Sequence, residues 1–218
     1  METITELPSW RQVLAVVAHP DDESFGLGAV VGRFIDAGAQ VDVLCFTHGE
    51  ASTLHGVPGD LATIRETELR EAGSLLGVTH TTLLSYPDMG LAPVGAEVLS
   101  KDVEALSVEA DGLLVFDVTG ITGHPDHQTA TAAAVLAAGR LDIPVLAWTL
   151  PETVASALRE ETGAPFAGRR ADQITHVVRV DRARQRTASL AHASQALPTS
   201  VLWRRLELLG DVEHLRLL

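Results

Sequence analysis

Two short motifs contain the residue types of a metal site with a base beside it. The first is His19-Pro20-Asp21-Asp22-Glu23, and the second is His124-Pro125-Asp126-His127. Two histidines and one carboxylate can hold a divalent cation and leave its other side open to water, as in hydrolytic zinc centres. Neighbouring side chains in an extended or turning backbone point in different directions. We therefore expect one of Asp21 and Asp22 to bind metal and the other to face substrate.

The second motif is predicted to lie at the start of a helix. A proline keeps the preceding residue extended and suits the first helical position, so His127 falls in the first turn after Pro125. A helix N-terminus disfavours an imidazolium, which helps to keep His127 neutral and able to bind metal. His124 can then face a reacting carbonyl. Asp126 has two interpretations. It either accepts a hydrogen bond that fixes the tautomer of an imidazole, or it is a first-turn carboxylate that the helix dipole stabilises.

Short apolar runs alternate with helical periodicity along most of the chain. The predicted strands are residues 13–18, 41–47, 82–84, 112–117, 144–150 and 174–180. An apolar face over 61–76 predicts a helix that Gly77 ends, and a small-residue face over 130–137 predicts one that Gly139 ends. This alternation predicts an α/β fold over residues 1–218, a single Rossmann-like domain with a mostly parallel sheet flanked by helices.

Polar clusters follow each of the first four predicted strands. They are the His19 motif, residues 47–50, residues 86–88 and the His124 motif. Ligands bind outside the carboxyl ends of the strands in such sheets, so these clusters are expected to meet at one rim. Residues 51–60, which contain glycine and proline, are expected to form an exposed loop over that rim and are a candidate lid.

The first motif has two competing interpretations. Residues 26–28 form a partial G-x-G, a pattern found in dinucleotide-binding sites. Such a site needs free backbone N–H groups and no negative charge at the phosphates, whereas residues 21–23 are all acidic. Alternatively, Asp21 or Asp22 caps a helix beginning near Ser24, and Glu23 is favoured there by the helix dipole. The second histidine motif on the same predicted rim favours a metal site over both.

The composition of the chain disfavours some classes of binding partner. The 16 Lys and Arg residues against 29 Asp and Glu residues give a net charge of −13, which opposes nucleic-acid and anionic membrane binding. Cys45 lies in an apolar run and is expected to be buried. Residues 1–12 do not have a signal-peptide pattern, and no apolar stretch approaches the roughly 20 residues of a membrane span, so a cytoplasmic location is expected.

The chain resembles the PIG-L/LmbE-like de-N-acetylases, which remove acetyl groups from N-acetylglucosamine-containing metabolites such as precursors of mycothiol, bacillithiol and glycosylphosphatidylinositol. The specific signatures are Ala18 to Glu23 and Gly123 to His127. Weaker matches are residues 47–50, Arg65 with Glu68, residues 86–88 and residues 192–195. Members that act on the mycothiol precursor tend to have an aromatic residue where this chain has Thr122.

The resemblance implies roles for individual residues. His19, Asp22 and His127 would bind Zn²⁺, Asp21 would be the general base, and His124 would polarise the carbonyl or protonate the leaving amine. Arg65 and Asp88 would contact sugar hydroxyls; the alternative for Arg65 is a solvated helix face paired with Glu68. The matches at Glu50, His192 and Gln195 carry no assigned role. The remaining histidines, His48, His55, His80, His176 and His214, are interpreted as structural.

The expected activity is zinc-dependent hydrolysis of the acetyl amide of an N-acetylglucosamine-type small molecule. One alternative is a zinc amidase of a thiol conjugate. The same ligand set accepts Fe²⁺ in non-haem oxygenases, although those usually use antiparallel β scaffolds. A silent metal- or sugar-binding module is a third alternative. The apolar tail from Val201 to Leu218 either completes the core or covers a neighbouring protomer in a homo-oligomer.

Overall fold

The structure is a computed structural model that describes residues 4–54 and 59–218. The strands are β1 (Gln12–Val17), β2 (Gln40–Thr47), β3 (His80–Tyr86), β4 (Gly112–Phe116), β5 (Val145–Pro151), β6 (Gly168–Arg169), β7 (His176–Arg179) and β8 (Val212–Leu217). The helices are α1 (Asp22–Phe25), α2 (Gly28–Asp36), α3 (Leu61–Leu76), α4 (Leu91–Val94), α5 (Ala96–Leu106), α6 (Gly120–Gly123), α7 (Pro125–Leu141), α8 (Glu152–Thr162), α9 (Ala183–Ala191) and α10 (Val201–Leu209). A 3₁₀ turn covers Ala171–Gln173.

These strands form one sheet in the order β3-β2-β1-β4-β5-β8-β7, with the short β6 paired to β5. The pairs from β3 through β5 are parallel, whereas β8 is antiparallel to both of its neighbours, β5 and β7. The prediction of an α/β fold with a mostly parallel sheet and flanking helices is therefore confirmed. The six predicted strands are all present, with ends that differ by at most two residues.

Both faces of the sheet are buried. In β1, Val13, Ala15 and Val17 belong to one apolar cluster, while Leu14 and Val16 belong to the other. Covering both faces is the usual arrangement when helices connect parallel strands, and it explains why β1 is apolar at every position from 13 to 17. Cys45 is buried and free, as predicted.

The C-terminal tail completes this core. Its helix α10 buries Leu202 and Leu206, and its strand β8 buries Leu215 between β5 and β7. The sequence analysis left open whether the tail packs on its own core or on a neighbour; the first alternative is observed. Among the described residues, no helix has the length and hydropathy needed to cross a bilayer.

The predicted helix ends are partly correct. Helix α3 ends at Gly77, which has a left-handed φ of 86°. The prediction that Gly139 ends α7 is wrong, because α7 continues to Leu141 and is capped by Asp142 at φ 55°. Aspartate tolerates this left-handed conformation better than most residues, so a glycine was not required there.

Candidate metal centre and active site

The polar clusters after β1, β2, β3 and β4 meet at one edge of the sheet, as predicted. The clusters after β1, β3 and β4 line a cavity of about 520 Å³, and all the predicted site residues except Asp126 belong to that lining. The cluster after β2 adjoins the cavity, because Gly49 accepts from Arg65 and Glu50 accepts from the Asp88 N–H. The full lining set is His19, Asp21, Asp22, Ala51, Ser52, Thr53, Leu54, Arg65, Asp88, Met89, His124, His127 and Gln195. A second cavity of about 660 Å³ lies near Glu6, Trp10 and Arg33, away from both histidine motifs.

Three predicted ligands converge inside this cavity. His19 Nδ1 lies 3.2 Å from His127 Nε2, which lies 3.2 Å from Asp22 Oδ1. The potential ligand atoms of the three residues are all within 4.8 Å of one another. Asp22 is oriented by its own loop, because its Oδ2 accepts hydrogen bonds from the N–H groups of Ala18 and His19 at 3.2 and 3.0 Å.

The other nitrogen of each imidazole faces an acceptor. His127 Nδ1 lies 3.3 Å from the Gly120 carbonyl, and His19 Nε2 lies 3.1 Å from Asp88 Oδ1 and 3.4 Å from Asp126 Oδ2. These contacts favour a proton on the outward nitrogen and a lone pair on the nitrogen that faces the cluster. Two imidazole nitrogens and one carboxylate oxygen are donors that suit a divalent metal such as zinc, so the residues fit the predicted ion.

A second group, His19, His124 and Asp126, is also close enough to hold a metal. However, the carboxylate of Asp126 already accepts from the N–H groups of Met89 and Leu91 at 2.7 and 3.1 Å. It is also fully buried. Its contact with His19 matches the tautomer-fixing interpretation of Asp126, and the cluster formed with Asp22 and His127 is the better metal site.

Asp21 points away from Asp22, as its adjacent position requires. Its backbone has φ 118° and ψ −29°, a region that costs a non-glycine residue about 1–3 kcal/mol. The Asp21 carboxylate lines the cavity and accepts a 2.9 Å hydrogen bond from Arg65 Nη2. Burial raises the pKa of Asp21 to about 6, although Arg65 opposes the rise. The alternative that Asp21 or Asp22 caps the helix is wrong, since α1 begins at Asp22 with no side-chain cap.

Arg65 is buried at 3% exposure, so the interpretation of a solvated helix face paired with Glu68 is wrong. Its guanidinium donates to the carbonyls of Gly49 and Pro20 as well as to Asp21. Glu68 is buried too, and it accepts hydrogen bonds from Ser194. Arg65 and Glu68 are buried because α3 packs behind the rim and contacts α9, so this face of the helix does not meet solvent.

His124 and Asp88 complete the cavity wall. His124 Nδ1 accepts the Asp126 N–H at 3.3 Å, which makes His124 the N-cap of α7. Burial lowers the pKa of His124, and the neighbouring imidazoles of His127 and His19 lower it further. Asp88 contacts His19 and accepts the N–H of Ala51 at 2.8 Å. Contact of Arg65 and Asp88 with sugar hydroxyls stays a prediction.

The sequence analysis missed a buried pair behind the site. His192 Nε2 lies 2.7 Å from Glu23 Oε1, and both residues are fully buried. His192 belongs to a weak motif without an assigned role, and Glu23 had been interpreted only through the helix dipole. Nothing in the local sequence pairs residues so far apart, although the late motif could have marked His192 for attention.

The predicted lid is only partly described. Residues 51–54 border the cavity, and Ser52 Oγ donates to Gln195 Oε1 at 2.8 Å. Residues 55–58, including His55, lie outside the described residues. None of the other histidines interpreted as structural, His48, His80, His176 and His214, lines this cavity.

The fold and the site define a Rossmann-like α/β protein with a two-histidine, one-carboxylate cluster at the carboxyl ends of its strands. Residues 14–138 match the PIG-L family, described as GlcNAc-PI de-N-acetylase. Because this range covers more than half of the 218 residues, the chain belongs to that family. The resemblance noted from the two histidine motifs is confirmed.

Relatives in this family are similar over part of their length. The 1D-myo-inositol 2-acetamido-2-deoxy-alpha-D-glucopyranoside deacetylase of Kineococcus radiotolerans is 32% identical over 176 residues, which cover 64% of this chain and 49% of the relative. The diacetylchitobiose deacetylase of Thermococcus kodakarensis is 31% identical over 138 residues, which cover 62% of this chain and 51% of the relative. The matched region thus spans about half the length of these relatives.

A solved structure shares the whole fold. The A40926 pseudoaglycone deacetylase Dbv21 has a TM-score of 0.73 and covers 95% of this chain and 97% of its own. Its sequence identity is 21%, so the likeness shows a common architecture. Nearly full coverage of both chains indicates that the C-terminal elements beyond residue 138 belong to that architecture as well.

Proposed function

We propose that this protein hydrolyses the acetamide of a 2-acetamido-2-deoxyglucose-type conjugate, with His19, Asp22 and His127 holding Zn²⁺. The observation that carries the proposal is the convergence of these three side chains in a cavity whose wall also contains Asp21 and His124. Support comes from the two relatives, whose names describe deacetylases of a glucosaminide and of diacetylchitobiose.

The donor set also determines what the ion contributes. Two imidazoles and one carboxylate leave part of the coordination sphere to water and substrate, which is typical of catalytic rather than structural zinc. When bound, Zn²⁺ lowers the pKa of water toward about 7 and polarises a carbonyl. Fe²⁺ fits the same three donors, so the native metal is part of the proposal and of its test.

Asp21 is suited to remove a proton from water. It adjoins the metal ligand Asp22 in the chain, lines the cavity and carries a pKa of about 6, which leaves it ionised at neutral pH yet basic enough to accept a proton. Arg65 holds one carboxylate oxygen and leaves the other available. This division of labour between adjacent aspartates is the one that the family resemblance implies.

His124 is suited to act on the other side of the amide. Its lowered pKa keeps the ring neutral. Because Nδ1 accepts the Asp126 N–H, the proton of the neutral ring resides on Nε2. An Nε2–H can donate a hydrogen bond to the carbonyl oxygen as negative charge develops there. The departing amine then takes the proton that Asp21 removed from water, because a neutral imidazole does not give up its remaining N–H proton. The hydroxide of the water thus ends in acetate, and its proton ends on the free amine.

Three alternative functions use the same metal ligands. A non-haem Fe²⁺ oxygenase is disfavoured because its triad usually lies on an antiparallel β scaffold, whereas this site lies at the ends of parallel strands. A silent binding module is disfavoured because it has no use for a base with a raised pKa such as Asp21. A zinc amidase of a thiol conjugate differs only in the group attached to the amide.

The test is a substrate screen with zinc-loaded protein. N-acetylglucosamine, N,N′-diacetylchitobiose and an inositol-linked N-acetylglucosaminide are incubated separately, and free amine is measured. We expect amine release from at least one of them, loss of release with Asp21→Asn, and equal release with and without oxygen. Zinc binding without hydrolysis of any N-acetyl sugar would favour the silent module.

A further inference from the structure

The buried pair of Glu23 and His192 lies behind the cavity wall. The two side chains meet at 2.7 Å, both are fully buried, and neither lines the cavity. They cannot touch a substrate bound there. Burial lowers the pKa of His192, but Glu23 and other nearby carboxylates raise it by more, so the net effect is a raised pKa. A buried carboxylate needs a hydrogen-bonded partner inside the protein, and His192 Nε2 supplies one for Glu23 Oε1.

The second oxygen of Glu23 reaches the backbone of the proposed base. The Asp21 N–H donates to Glu23 Oε2 at 2.9 Å. On the other side of the same residue, the Asp21 carbonyl accepts from the N–H groups of Ser24 and Phe25 at 3.1 and 2.6 Å. The peptide groups before and after the Asp21 Cα atom are thus both held in place.

These bonds hold Asp21 in an unusual conformation. Its φ of 118° is a value that a residue with a side chain leaves unless its surroundings oppose the change. That same backbone turn sends the Asp21 carboxylate toward Arg65 while the Asp22 carboxylate points toward His127. The separation of a base from a metal ligand at adjacent positions therefore depends on this turn.

We infer that the Glu23–His192 pair is a positioning element that keeps Asp21 in its left-handed backbone conformation and so aims its carboxylate into the cavity. A helix-dipole role for Glu23 would need no second buried charge, yet His192 is brought to it from 169 residues away. The inference rests on the proposed function for the role of Asp21 as base. The backbone conformation itself can be measured without reference to activity.

The main test compares His192→Ala with His192→Gln, whose amide can still donate to Glu23. Three quantities are measured for each zinc-loaded variant: the Asp21 φ in a crystal structure, kcat and KM for the best substrate of the screen, and the zinc Kd. For His192→Ala we expect φ to leave the left-handed region and kcat to fall about 10- to 100-fold, with KM and the zinc Kd changed less than about threefold. His192→Gln should restore most of kcat and the positive φ.

A matched control comes from α9, the helix that ends just before His192. Gln185 on α9 is fully buried and donates to the carbonyls of Ser24 and Phe25, both at 3.0 Å, but it makes no hydrogen bond to Asp21. Gln185→Ala should destabilise the protein yet leave kcat within about threefold of wild type. If it lowers kcat as much as His192→Ala, the effect is a general loosening of α1 and the inference is wrong.

A second variant covers the case in which His192→Ala does not fold. Glu23→Asp keeps the charge but withdraws the carboxylate by one methylene, so it cannot reach both His192 and the Asp21 N–H. We expect it to lower kcat about tenfold and to change the Asp21 φ. Wild-type kcat with an unchanged φ in either variant would overturn the inference. Failure of the wild-type protein to deacetylate any substrate would instead overturn the proposed function, and the φ comparison would still stand.

Discussion

His19 Nδ1 lies 3.2 Å from His127 Nε2, although 108 residues separate the two histidines in the chain. Each ring holds its other nitrogen against an acceptor, the Asp88 carboxylate for His19 and the Gly120 carbonyl for His127. Two lone pairs are thereby aimed at one point beside the Asp22 carboxylate. A cation is the simplest group that satisfies all three donors at once, and the predictions below depend on that arrangement.

The first prediction distinguishes the proposed base, Asp21, from the proposed metal ligands. Asp21→Asn keeps the shape of the side chain but removes its basicity, so kcat should fall by about 10²- to 10⁴-fold while zinc affinity stays near that of wild type. His19→Ala should lose both zinc affinity and activity. Zinc binding by calorimetry and amine release by a colorimetric assay distinguish the two outcomes. An Asp21→Asn protein with wild-type kcat would show that another residue is the base.

Metal removal gives the second prediction. Dialysis against a chelator should abolish hydrolysis, and Zn²⁺ should restore it under anaerobic conditions, because amide hydrolysis needs no oxidant. Reconstitution with Fe²⁺ in a parallel sample identifies which metal supports the higher kcat. Activity that returns only when both Fe²⁺ and oxygen are present would contradict the hydrolytic mechanism.

Arg65 gives the third prediction. Because its guanidinium binds Asp21 and two backbone carbonyls, Arg65→Met should lower kcat by about 10- to 100-fold through misplacement of the base. KM should change much less. Arg140→Met, which removes a more exposed guanidinium bound to Glu97 and Glu104, is the control and should leave kcat unchanged. A selective rise in KM would instead indicate that Arg65 contacts the sugar.

The pair of Asp117 and Arg169 gives a prediction about stability and pH. Burial raises the pKa of Asp117, but hydrogen bonds from Arg169 and Thr119 outweigh burial, and the folded-state pKa lies below its ordinary value. A depressed carboxylate pKa contributes stability above the unfolded pKa of about 3.9 and loses it as pH falls through the folded value. Asp117→Asn should therefore lower the free energy of unfolding by about 1.5–3 kcal/mol at pH 7.

Denaturant titrations at several pH values check the predicted loss of stability. The difference in the free energy of unfolding between wild type and Asp117→Asn should become smaller as pH falls below about 4. Asp172→Asn is the matched control, because Asp172 pairs with Arg170 on the exposed surface and such pairs contribute little to stability. Equal losses for the two variants, or a difference that does not vary with pH, would show that the buried pair is not the source.

Much of the site was predictable because its signal is local. Strand ends in a parallel sheet place the His19 and His124 motifs at one rim, and proline at position 125 fixes where α7 begins. The remainder depends on contacts between distant segments. The burial of Arg65 follows from the packing of α3 behind the rim, and the Glu23–His192 pair joins α1 to the residue that follows α9.

The fold, like the site, was predictable where its signal is local and not where it depends on contacts between distant segments. The strands that alternate with helices were identified from apolar runs, whereas β8 was not, because residues 212–217 contain Glu213, His214 and Arg216 among the apolar positions. Glu213 is buried there because Arg182 and Trp148 bind its carboxylate. Such a strand is stable only in its tertiary context, so its own pattern gives little indication of it.

The most direct test of the account is the position of bound zinc in a crystal of the wild-type protein, located by anomalous diffraction at the zinc edge. We predict one strong peak about 2.0–2.2 Å from His19 Nδ1, His127 Nε2 and an oxygen of Asp22, with no fourth protein ligand. A peak elsewhere, or an ion enclosed by four protein ligands, would contradict the proposed catalytic centre.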